Sequence, residues 1–228
     1  MPPVLGLVVV AGGASRRYGK SNKLFELLND KSLFLYCLEN LIPVVGLPNS
    51  VLVVPNDAVE LFRSRLPQPL KGLNLVTGGA ERSSSALKGI LALPPEVDYV
   101  AIQDAARPFA SASLLKTCFQ EAIKCGGAIA AHRMTDTIKV ASQDGFIQET
   151  PDRSTLWAAE TPQVFRRDWI TEAYTHCLQN NISVTDDAQA VQLLGYNVRL
   201  VENNACNMKI TYPAELKSAE LIMSQMNK

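Results

Sequence analysis

The chain has 228 residues, of which 47% are hydrophobic and 19% are charged, and this suits a single α/β domain with a full core. Its 22 basic and 22 acidic residues give a formal net charge of zero, which argues against general nucleic-acid affinity. Five cysteines without a C-x-x-C pair favour reduced thiols in the cytoplasm over disulfides or a zinc site. We expect no membrane span and no signal peptide, because the apolar run at residues 4–11 is short and no Lys or Arg precedes it.

Apolar runs and helical periodicities alternate along the chain. Strands are predicted at residues 4–11, 51–54, 73–76, 99–102, 127–131 and 198–202. Helices are predicted at residues 32–41, 81–93, 114–124, 169–178, 187–194 and 213–226. This alternation predicts an α/β fold with a doubly wound, mostly parallel sheet, in one domain that spans residues 1–228.

The pattern changes between residues 134 and about 155. Residues 137–140 and 146–150 flank a turn that contains Asp144 and Gly145, which predicts a two-stranded ribbon. Such a hairpin is marginal by itself, so we expect a protruding β-arm that lies on another surface, such as a partner subunit. Residues 157–163 are predicted to form an ordered loop.

The stretch after the first strand combines glycines with cations. Gly12 and Gly13 allow a tight turn or a close approach to a ligand, and four cations follow within eight residues, namely Arg16, Arg17, Lys20 and Lys23. A buried strand that leads into such a turn indicates a polyphosphate cradle, although an ordinary turn with solvated arginines fits this stretch equally well. The G-x-G-x-x-G fingerprint is absent, and the glycine spacing is one residue too long for a P-loop.

Two further predicted strand ends carry polar groups. One leads into Gly79 with Arg82 and Ser85, and the other leads into Asp104 and Arg107. Because ligands of open α/β sheets bind at the carboxyl ends of the strands, these ends together favour a nucleotide site with Asp104 as a ligand of Mg²⁺. By itself, Asp104 would be interpreted as the cap of a turn.

Groups for acid–base or nucleophilic catalysis are scarce. His132 is interpreted as structural and His176 as part of a surface helix, and no serine lies in a G-x-S-x-G elbow. The expected chemistry is therefore cationic and metal-assisted. Transfer of a nucleotidyl group to a phosphate fits, because a phosphate monoester has its second pKa near about 6 and needs no strong base.

A second polar cluster lies late in the chain. It contains Arg153, Thr161, the run at residues 185–187, and Lys209. Taken alone, Arg153 and Lys209 would be interpreted as surface cations, and Trp157 as a core residue.

Seven stretches, taken together, resemble one family. They are VVAGGASRRYGKSNKLF, VTGGAERSSSALKG, VAIQDAARPF, TDTIKV, PDRSTLWAAETPQVF, VTDDAQAVQLLG and NMKITYPAEL. In this order they resemble the 2-C-methyl-D-erythritol 4-phosphate cytidylyltransferases of the non-mevalonate isoprenoid pathway, over almost the whole chain. The DAARP and TPQ-F motifs are specific in combination, whereas either alone would be weak.

The resemblance implies a Rossmann-like nucleotidyltransferase fold, CTP and a polyol phosphate as substrates, and Mg²⁺ as cofactor. The implied catalytic cations are Arg17 and Lys23, which would hold the triphosphate and stabilise the pentacoordinate phosphorus, and Lys209, which would bind the acceptor. The residues implied to bind CTP are Ala11, Gly12, Gly13, Gly79, Arg82, Ser85, Asp104 and Ala105, and Asp104 would also bind the metal. The residues implied to bind the acceptor are Arg107, Thr137, Arg153, Thr161 and Thr185. The ribbon would embrace a second subunit, so that a homodimer shares the acceptor pocket.

Two positions depart from the family pattern. Cys206 stands where the family usually has an acidic residue that can join the Mg²⁺ shell, and a thiol is a poor ligand for Mg²⁺. The first loop reads N-K-L where many members have P-K-Q, but Lys23 is retained.

Three other functions remain open from the sequence. A ribitol 5-phosphate cytidylyltransferase would share the fold and most motifs, and the charged acceptor residues do not separate the two polyol phosphates. A nucleotidyltransferase for sugar 1-phosphates is disfavoured by the DAARP and TPQ-F stretches. A non-catalytic nucleotide-binding protein is disfavoured because both Arg17 and Lys23 are retained.

Overall fold

A computed structural model of the chain describes residues 1–12, 18 and 22–226. In chain order the strands are β1 (Leu5–Val10), β2 (Leu27–Leu28), β3 (Lys31–Ser32), β4 (Ser50–Val54), β5 (Asn74–Thr77), β6 (Tyr99–Asp104), β7 (Gly127–Arg133), β8 (Val140–Ala141), β9 (Ile147–Glu149), β10 (Trp157–Arg166) and β11 (Arg199–Glu202). The helices are α1 (Leu33–Val45), α2 (Val59–Arg65), α3 (Arg82–Leu91), α4 (Ala112–Cys125), α5 (Arg167–Gln179), α6 (Asp187–Leu193) and α7 (Pro213–Met226). None of the helices in this described part has the length and apolar character needed to cross a bilayer.

Seven strands form the central sheet, in the order β11-β7-β10-β6-β1-β4-β5. Neighbouring strands are parallel except at β10, which is antiparallel to both β6 and β7. The run of apolar residues in β1 and β4 suits strands that are covered on both faces, and both strands are almost completely buried. The predicted α/β fold with a mostly parallel sheet is confirmed.

Helices cover the two faces of the sheet. Leu7 and Val9 of β1 pack into a core with residues of α1, α4 and α7, whereas Val8 points to the opposite core with residues of α3, α5 and α6. This alternation follows from the two-residue period of a strand. The two layers cover the faces of the sheet, so a ligand is expected at its carboxyl edge.

The prediction of a loop at residues 157–163 was wrong. These residues belong to β10, a ten-residue strand in the middle of the sheet. Between Ala159 and Gln163 the strand advances four residues while its partner β7 advances two, from Ala131 to Ile129. This irregularity contains the cis peptide between Thr161 and Pro162, and it explains why the sequence lacks the alternation expected of a strand.

The predicted ribbon is present as a separate two-stranded sheet, in which β8 pairs with β9 in antiparallel fashion. Its first strand is shorter than the predicted residues 137–140 and ends one residue later, because only Val140 and Ala141 are in strand conformation. Phe146 and Ile147 are 75% and 65% exposed, so the ribbon carries apolar side chains that the rest of this chain does not cover.

The order of the strands reverses beside β1. After β1 the chain adds β4 and β5 on one side, and it then returns to place β6 on the other side. Val10 at the end of β1 is in register with Asp104 at the end of β6. Ligands of open α/β sheets bind at such a reversal point.

Candidate active site

A cavity of about 430 Å³ opens at the carboxyl ends of β1 and β6. Three cations and two carboxylates are among its described lining residues, which are Val10, Ala11, Gly12, Tyr18, Lys23, Leu24, Gly79, Ala80, Glu81, Arg82, Ser85, Asp104, Ala105, Ala106, Lys209 and Thr211. The reversal of strand order therefore coincides with a polar cavity.

One wall of the cavity is formed by the backbone of the turn at Gly78 and Gly79, which lies close to Ser85 of α3. The Gly79 amide donates to Ser85 Oγ at 2.9 Å, and the Gly78 amide donates to Val54 O at 2.8 Å. A Cβ atom on Gly78 would lie 2.7 Å from Ser85 Oγ, so the loop can lie against α3 only without a side chain there. Ser85 thus fixes the glycine turn that the sequence motifs predict to lie beside a nucleotide.

Asp104 is surrounded by cations at the floor of the cavity. Its Oδ2 lies 2.7 Å from Lys209 Nζ and 3.8 Å from Arg107 Nε, and its Oδ1 lies 3.2 Å from Arg82 Nε. Burial alone would raise the pKa of Asp104, but the three cations outweigh burial and hold that pKa well below its usual range. Asp104 is therefore an anion at physiological pH.

On the side away from the cavity, Arg82 pairs with Asp187, which is fully buried at the start of α6. Arg82 Nη2 donates to Asp187 Oδ2 at 3.0 Å, Arg82 Nη1 donates to Oδ1, and the Tyr174 hydroxyl also donates to Oδ1. Burial disfavours the charged guanidinium, but Asp187 and Asp104 raise the pKa of Arg82 well above its ordinary value. No role for Asp187 or Tyr174 was predicted from the sequence, since their partners lie far away in the chain.

The segment from Asn203 to Ile210 closes another side of the cavity. Its backbone accepts hydrogen bonds from two predicted site residues, at 2.7 Å from Arg107 Nη1 to Asn207 O and at 2.7 Å from Lys23 Nζ to Ile210 O. Lys209 belongs to the same segment. Three of the predicted cations therefore depend on where this one segment lies.

The irregular part of β10 contacts the same floor. The Asp104 amide donates to Thr161 Oγ1 at 3.1 Å. The side chain of Gln163 donates to Asp186 Oδ2 at 3.0 Å and accepts from the Ala188 amide at 3.0 Å. Buried polar side chains of β10 thus connect the end of β6 to the start of α6.

Most of the predicted site residues come together at the cavity. Nine of them line it, namely Ala11, Gly12, Lys23, Gly79, Arg82, Ser85, Asp104, Ala105 and Lys209. Arg107 and Thr161 contact the segment and the strand that form its floor. Gly13 and Arg17 lie outside the described residues.

Three predicted acceptor residues are elsewhere. Thr137, Arg153 and Thr185 are exposed and do not line the cavity. Arg153 Nη1 donates to Thr135 O at 3.0 Å across the base of the arm, and the Thr185 hydroxyl bonds to Gln189. Within one chain these three side chains do not complete the acceptor pocket.

The protein donors near the cavity are few for a metal ion. Among the described residues, no group of three or more His, Cys, Asp and Glu side chains converges on one point. Asp104 is a single carboxylate at the cavity floor, and Cys206 is exposed and does not line the cavity. This donor set fits a Mg²⁺ ion that takes one carboxylate from the protein and its other ligands from substrate phosphates and water.

A larger groove, of about 1180 Å³, lies at the opposite end of the sheet, next to Asp98 and Tyr99 at the start of β6. Its arginines are engaged within the chain, because Arg166 pairs with Asp168 and Arg167 donates to the carbonyls of Pro94 and Leu93. The cavity at the carboxyl ends is the better candidate for an active site, because it lies where the strand order reverses and is lined by nine of the predicted site residues.

Comparison with known proteins gives the same family as the motifs. Residues 4–225 match the family model described as 2-C-methyl-D-erythritol 4-phosphate cytidylyltransferase. A relative of that name from Syntrophus aciditrophicus (strain SB) is 35% identical over 229 residues, which cover 99% of this chain and 98% of the relative. Another from Prochlorococcus marinus (strain MIT 9312) is 34% identical over 225 residues, with 95% and 96% covered.

Solved structures agree in fold. The 2-C-methyl-D-erythritol 4-phosphate cytidylyltransferase of Thermus thermophilus has a TM-score of 0.80 and 26% identity, and covers 97% of this chain and 99% of its own. The 4-diphosphocytidyl-2C-methyl-D-erythritol synthase of Anaerococcus prevotii DSM 20548 has a TM-score of 0.86 over the same shares, and its 24% identity supports the fold alone. The resemblance seen in the sequence is confirmed: the chain belongs to the 2-C-methyl-D-erythritol 4-phosphate cytidylyltransferase family.

Proposed function

We propose that this protein transfers the cytidylyl group of CTP to 2-C-methyl-D-erythritol 4-phosphate and releases pyrophosphate. The observation that carries the proposal is the position of Asp104, which lies between Arg82, Arg107 and Lys209 at the reversal point of a nucleotidyltransferase-type sheet. The three cations of this cluster can bind a polyanion such as a triphosphate, and the carboxylate can bind the metal ion that accompanies it. Membership of the family supports the choice of substrates.

In this reaction an oxygen of the acceptor phosphate attacks the α-phosphorus of CTP. A new P–O bond forms while the bond to the bridging oxygen of pyrophosphate breaks, and pyrophosphate leaves. No side chain has to remove a proton, because a phosphate monoester with its second pKa near about 6 is mostly a dianion at neutral pH. The protein has to align the two phosphates and neutralise their charge.

The nucleotide is assigned to the glycine side of the cavity. Ala11, Gly12, Gly79, Ser85 and Ala105 lie there, and Gly13 is proposed to bind the nucleotide as well. We assign the cytosine to Gly79, Arg82 and Ser85, because a ring can lie against backbone that carries no side chain. The Gly79–Ser85 hydrogen bond keeps this surface in place before CTP binds.

The phosphates are assigned to the cationic side. Lys23 and Lys209 line it, and both are anchored at 2.7 Å, by Ile210 O and by Asp104 Oδ2. Cations that are already positioned cost little reorganisation when charge develops on the α-phosphoryl oxygens. Arg17 is proposed to complete this set.

Mg²⁺ is proposed as the cofactor, held by Asp104 together with phosphate oxygens. When bound, it would neutralise the phosphate charge and stabilise the pyrophosphate that leaves. Lys209 and Arg82 keep Asp104 ionised for this purpose. Because Cys206 offers a thiol where a carboxylate would serve better, Asp104 supplies the protein's part of the shell.

The acceptor site is proposed to be shared between two subunits. Arg107 and Thr161 contact Asp104 at the floor of the cavity. Thr137 and Arg153 lie at the arm of the same chain and do not line the cavity. The arm also exposes Phe146 and Ile147, which a second copy would cover. We therefore propose a homodimer that exchanges its arms and works in the cytoplasm.

The test is release of pyrophosphate by the purified protein with CTP, Mg²⁺ and 2-C-methyl-D-erythritol 4-phosphate, next to calorimetric binding of CTP. We expect release that requires the acceptor. Binding of CTP without any release at saturating Mg²⁺ would instead identify a non-catalytic nucleotide-binding protein.

A further inference from the structure

Glu160 is a buried carboxylate to which the catalytic scheme above gives no part. It lies in the irregular stretch of β10, directly before Thr161, and it is 5% exposed. A carboxylate in such a place is costly unless hydrogen bonds compensate for the lost water. The hydrogen-bond donors around the Glu160 carboxylate therefore identify the parts of the protein that it holds in place.

Two of these donors come from the segment that carries Lys209. Glu160 Oε2 accepts from Asn203 Nδ2 at 2.9 Å and from Asn207 Nδ2 at 2.8 Å. Both asparagines are themselves buried. One carboxylate oxygen thus holds this segment at two points, four residues apart.

The third donor comes from β7. Glu160 Oε1 lies 2.8 Å from His132 Nδ1, and the His132 side chain is half exposed. His132 therefore covers the outer side of the carboxylate, and the asparagines lie on its inner side. Both oxygens of Glu160 are occupied, which fixes the orientation of the carboxylate.

Asn207 connects this anchor to the proposed reaction. Its Nδ2 also donates to Thr161 O at 2.9 Å, and its backbone oxygen accepts from Arg107 Nη1 at 2.7 Å. Two residues later, Lys209 contacts Asp104. A displacement of Asn207 would therefore move the partner of Arg107 and the base of Lys209 together.

We propose that Glu160 is a positioning residue for the acceptor side of the active site, an inference that rests on the proposed function. Through Asn203 and Asn207 it fixes the segment from Asn203 to Ile210, and through that segment it sets the places of Arg107 and Lys209. The glycine side has no hydrogen bond to this anchor among the described residues. Loss of Glu160 should therefore affect the acceptor more than CTP.

The test compares Glu160→Leu, Glu160→Gln and, as a matched control, Glu202→Leu, in the full-length protein. Glu202 lies next to Asn203 in the chain, but its carboxylate is exposed and pairs with Arg133. Glutamine keeps a carbonyl oxygen for the asparagines, and its amide can donate to His132 Nδ1 in the other tautomer. Activity of the unaltered protein is measured first, so that failure of the proposed function is recognised separately.

We expect Glu160→Leu to lower kcat/KM for the acceptor about 100-fold, the size of effect that a small misplacement of reacting groups produces. The Kd of CTP should rise by a smaller factor than kcat/KM falls, because the glycine wall has no hydrogen bond to Glu160 among the described residues and only Lys23 on the nucleotide side is anchored by this segment. Glu160→Gln should recover most of the loss, and Glu202→Leu should behave like the unaltered protein. Amide hydrogen exchange at Asn203 and Ile210 should accelerate in Glu160→Leu only.

The proposal is overturned if Glu160→Leu weakens CTP binding and acceptor turnover equally, or if it lowers only the melting temperature and leaves kinetics per folded molecule unchanged. It is also overturned if Glu160→Gln is as impaired as Glu160→Leu. Should Glu160→Leu not fold, Asn207→Ala removes the same hydrogen bond from the other side, and the same split between acceptor and CTP is expected.

Discussion

Asp187 and Arg82 form a two-point ion pair, although they lie 105 residues apart in the chain. Arg82 begins α3 and Asp187 begins α6, so the pair joins two helices on one face of the sheet. Because Arg82 also contacts Asp104, one guanidinium connects the buried Asp187 to the carboxylate proposed to bind the metal. The orientation of Arg82 is therefore set from outside the cavity.

Replacement of Asp187 by asparagine should destabilise the protein and weaken CTP binding. Arg82 would lose its buried counter-ion, and removal of one partner of such a pair costs about 3 kcal/mol in the free energy of unfolding. Urea denaturation and calorimetric titration with CTP measure the two effects. Tyr174→Phe is the matched control, since it removes one donor to Asp187, costs about 2 kcal/mol, and leaves the ion pair. Unchanged CTP affinity in Asp187→Asn would mean that Arg82 does not need this orientation.

Lys23→Ala should lower kcat about 100- to 1000-fold, as expected for the loss of one group that stabilises an oxyanion. Initial rates at saturating CTP and acceptor measure this change. Lys31→Ala makes the same substitution at a surface ion pair with Glu39 and should keep its kcat. A Lys23→Ala protein with normal kcat and only a higher KM for the acceptor would remove Lys23 from the reacting phosphates.

Asp104 should make the protein less stable in acid. Its pKa is depressed in the folded state by Arg82, Lys209 and Arg107, in spite of burial. A group with a lowered folded pKa contributes stability above its unfolded pKa, near about 4, and loses that contribution as the pH falls toward the folded value. The free energy of unfolding should therefore decline below about pH 4. In Asp104→Asn this part of the decline should be absent, and an equally steep decline in that variant would assign it to other groups.

Phe146→Asp should dissociate the proposed homodimer. Burial of an unpaired charge in an apolar interface costs several kcal/mol, so we expect the dimer Kd to rise about 100-fold or more. Sedimentation velocity over a dilution series measures the association. Gln143→Asp, which adds the same charge at the exposed turn of the arm, should leave the dimer intact. Identical masses for Phe146→Asp and the unaltered protein would exclude the arm as the contact.

The sequence was sufficient to predict the parallel part of the sheet. The apolar runs of β1, β4 and β6 are continuous, which predicts their strand conformation. Those of β1 and β6 lead into glycine or polar residues, so the sequence also predicted the ends of these two strands that carry the site. The cavity confirms that the ends of β1 and β6 meet.

Strand β10 could not be recognised in the same way. Glu160, Thr161 and Gln163 are polar, and Pro162 interrupts the run, which is typical of a loop. In the protein these side chains are buried because each finds a partner from a distant element, such as Asp186, Asn203 or the Asp104 amide. Hydrophobic periodicity in the sequence reveals only strands that are buried through apolar side chains. A strand such as β10, whose buried side chains are polar, cannot be recognised from it.

The arm illustrates a different limit. Its turn with Asp144 and Gly145 was visible, and its exposure followed from the lack of a covering element. In the proposed homodimer the partner surface belongs to another chain, so the position of Arg153 relative to the cavity depends on that chain.

The proposed function is tested most directly by comparing kcat/KM for 2-C-methyl-D-erythritol 4-phosphate and ribitol 5-phosphate, measured as pyrophosphate release from CTP with Mg²⁺. We expect turnover with 2-C-methyl-D-erythritol 4-phosphate and a much lower kcat/KM with ribitol 5-phosphate. Preference for ribitol 5-phosphate would contradict the proposed function, because the acceptor side formed by Arg107, Thr161 and Lys209 would then serve another polyol phosphate.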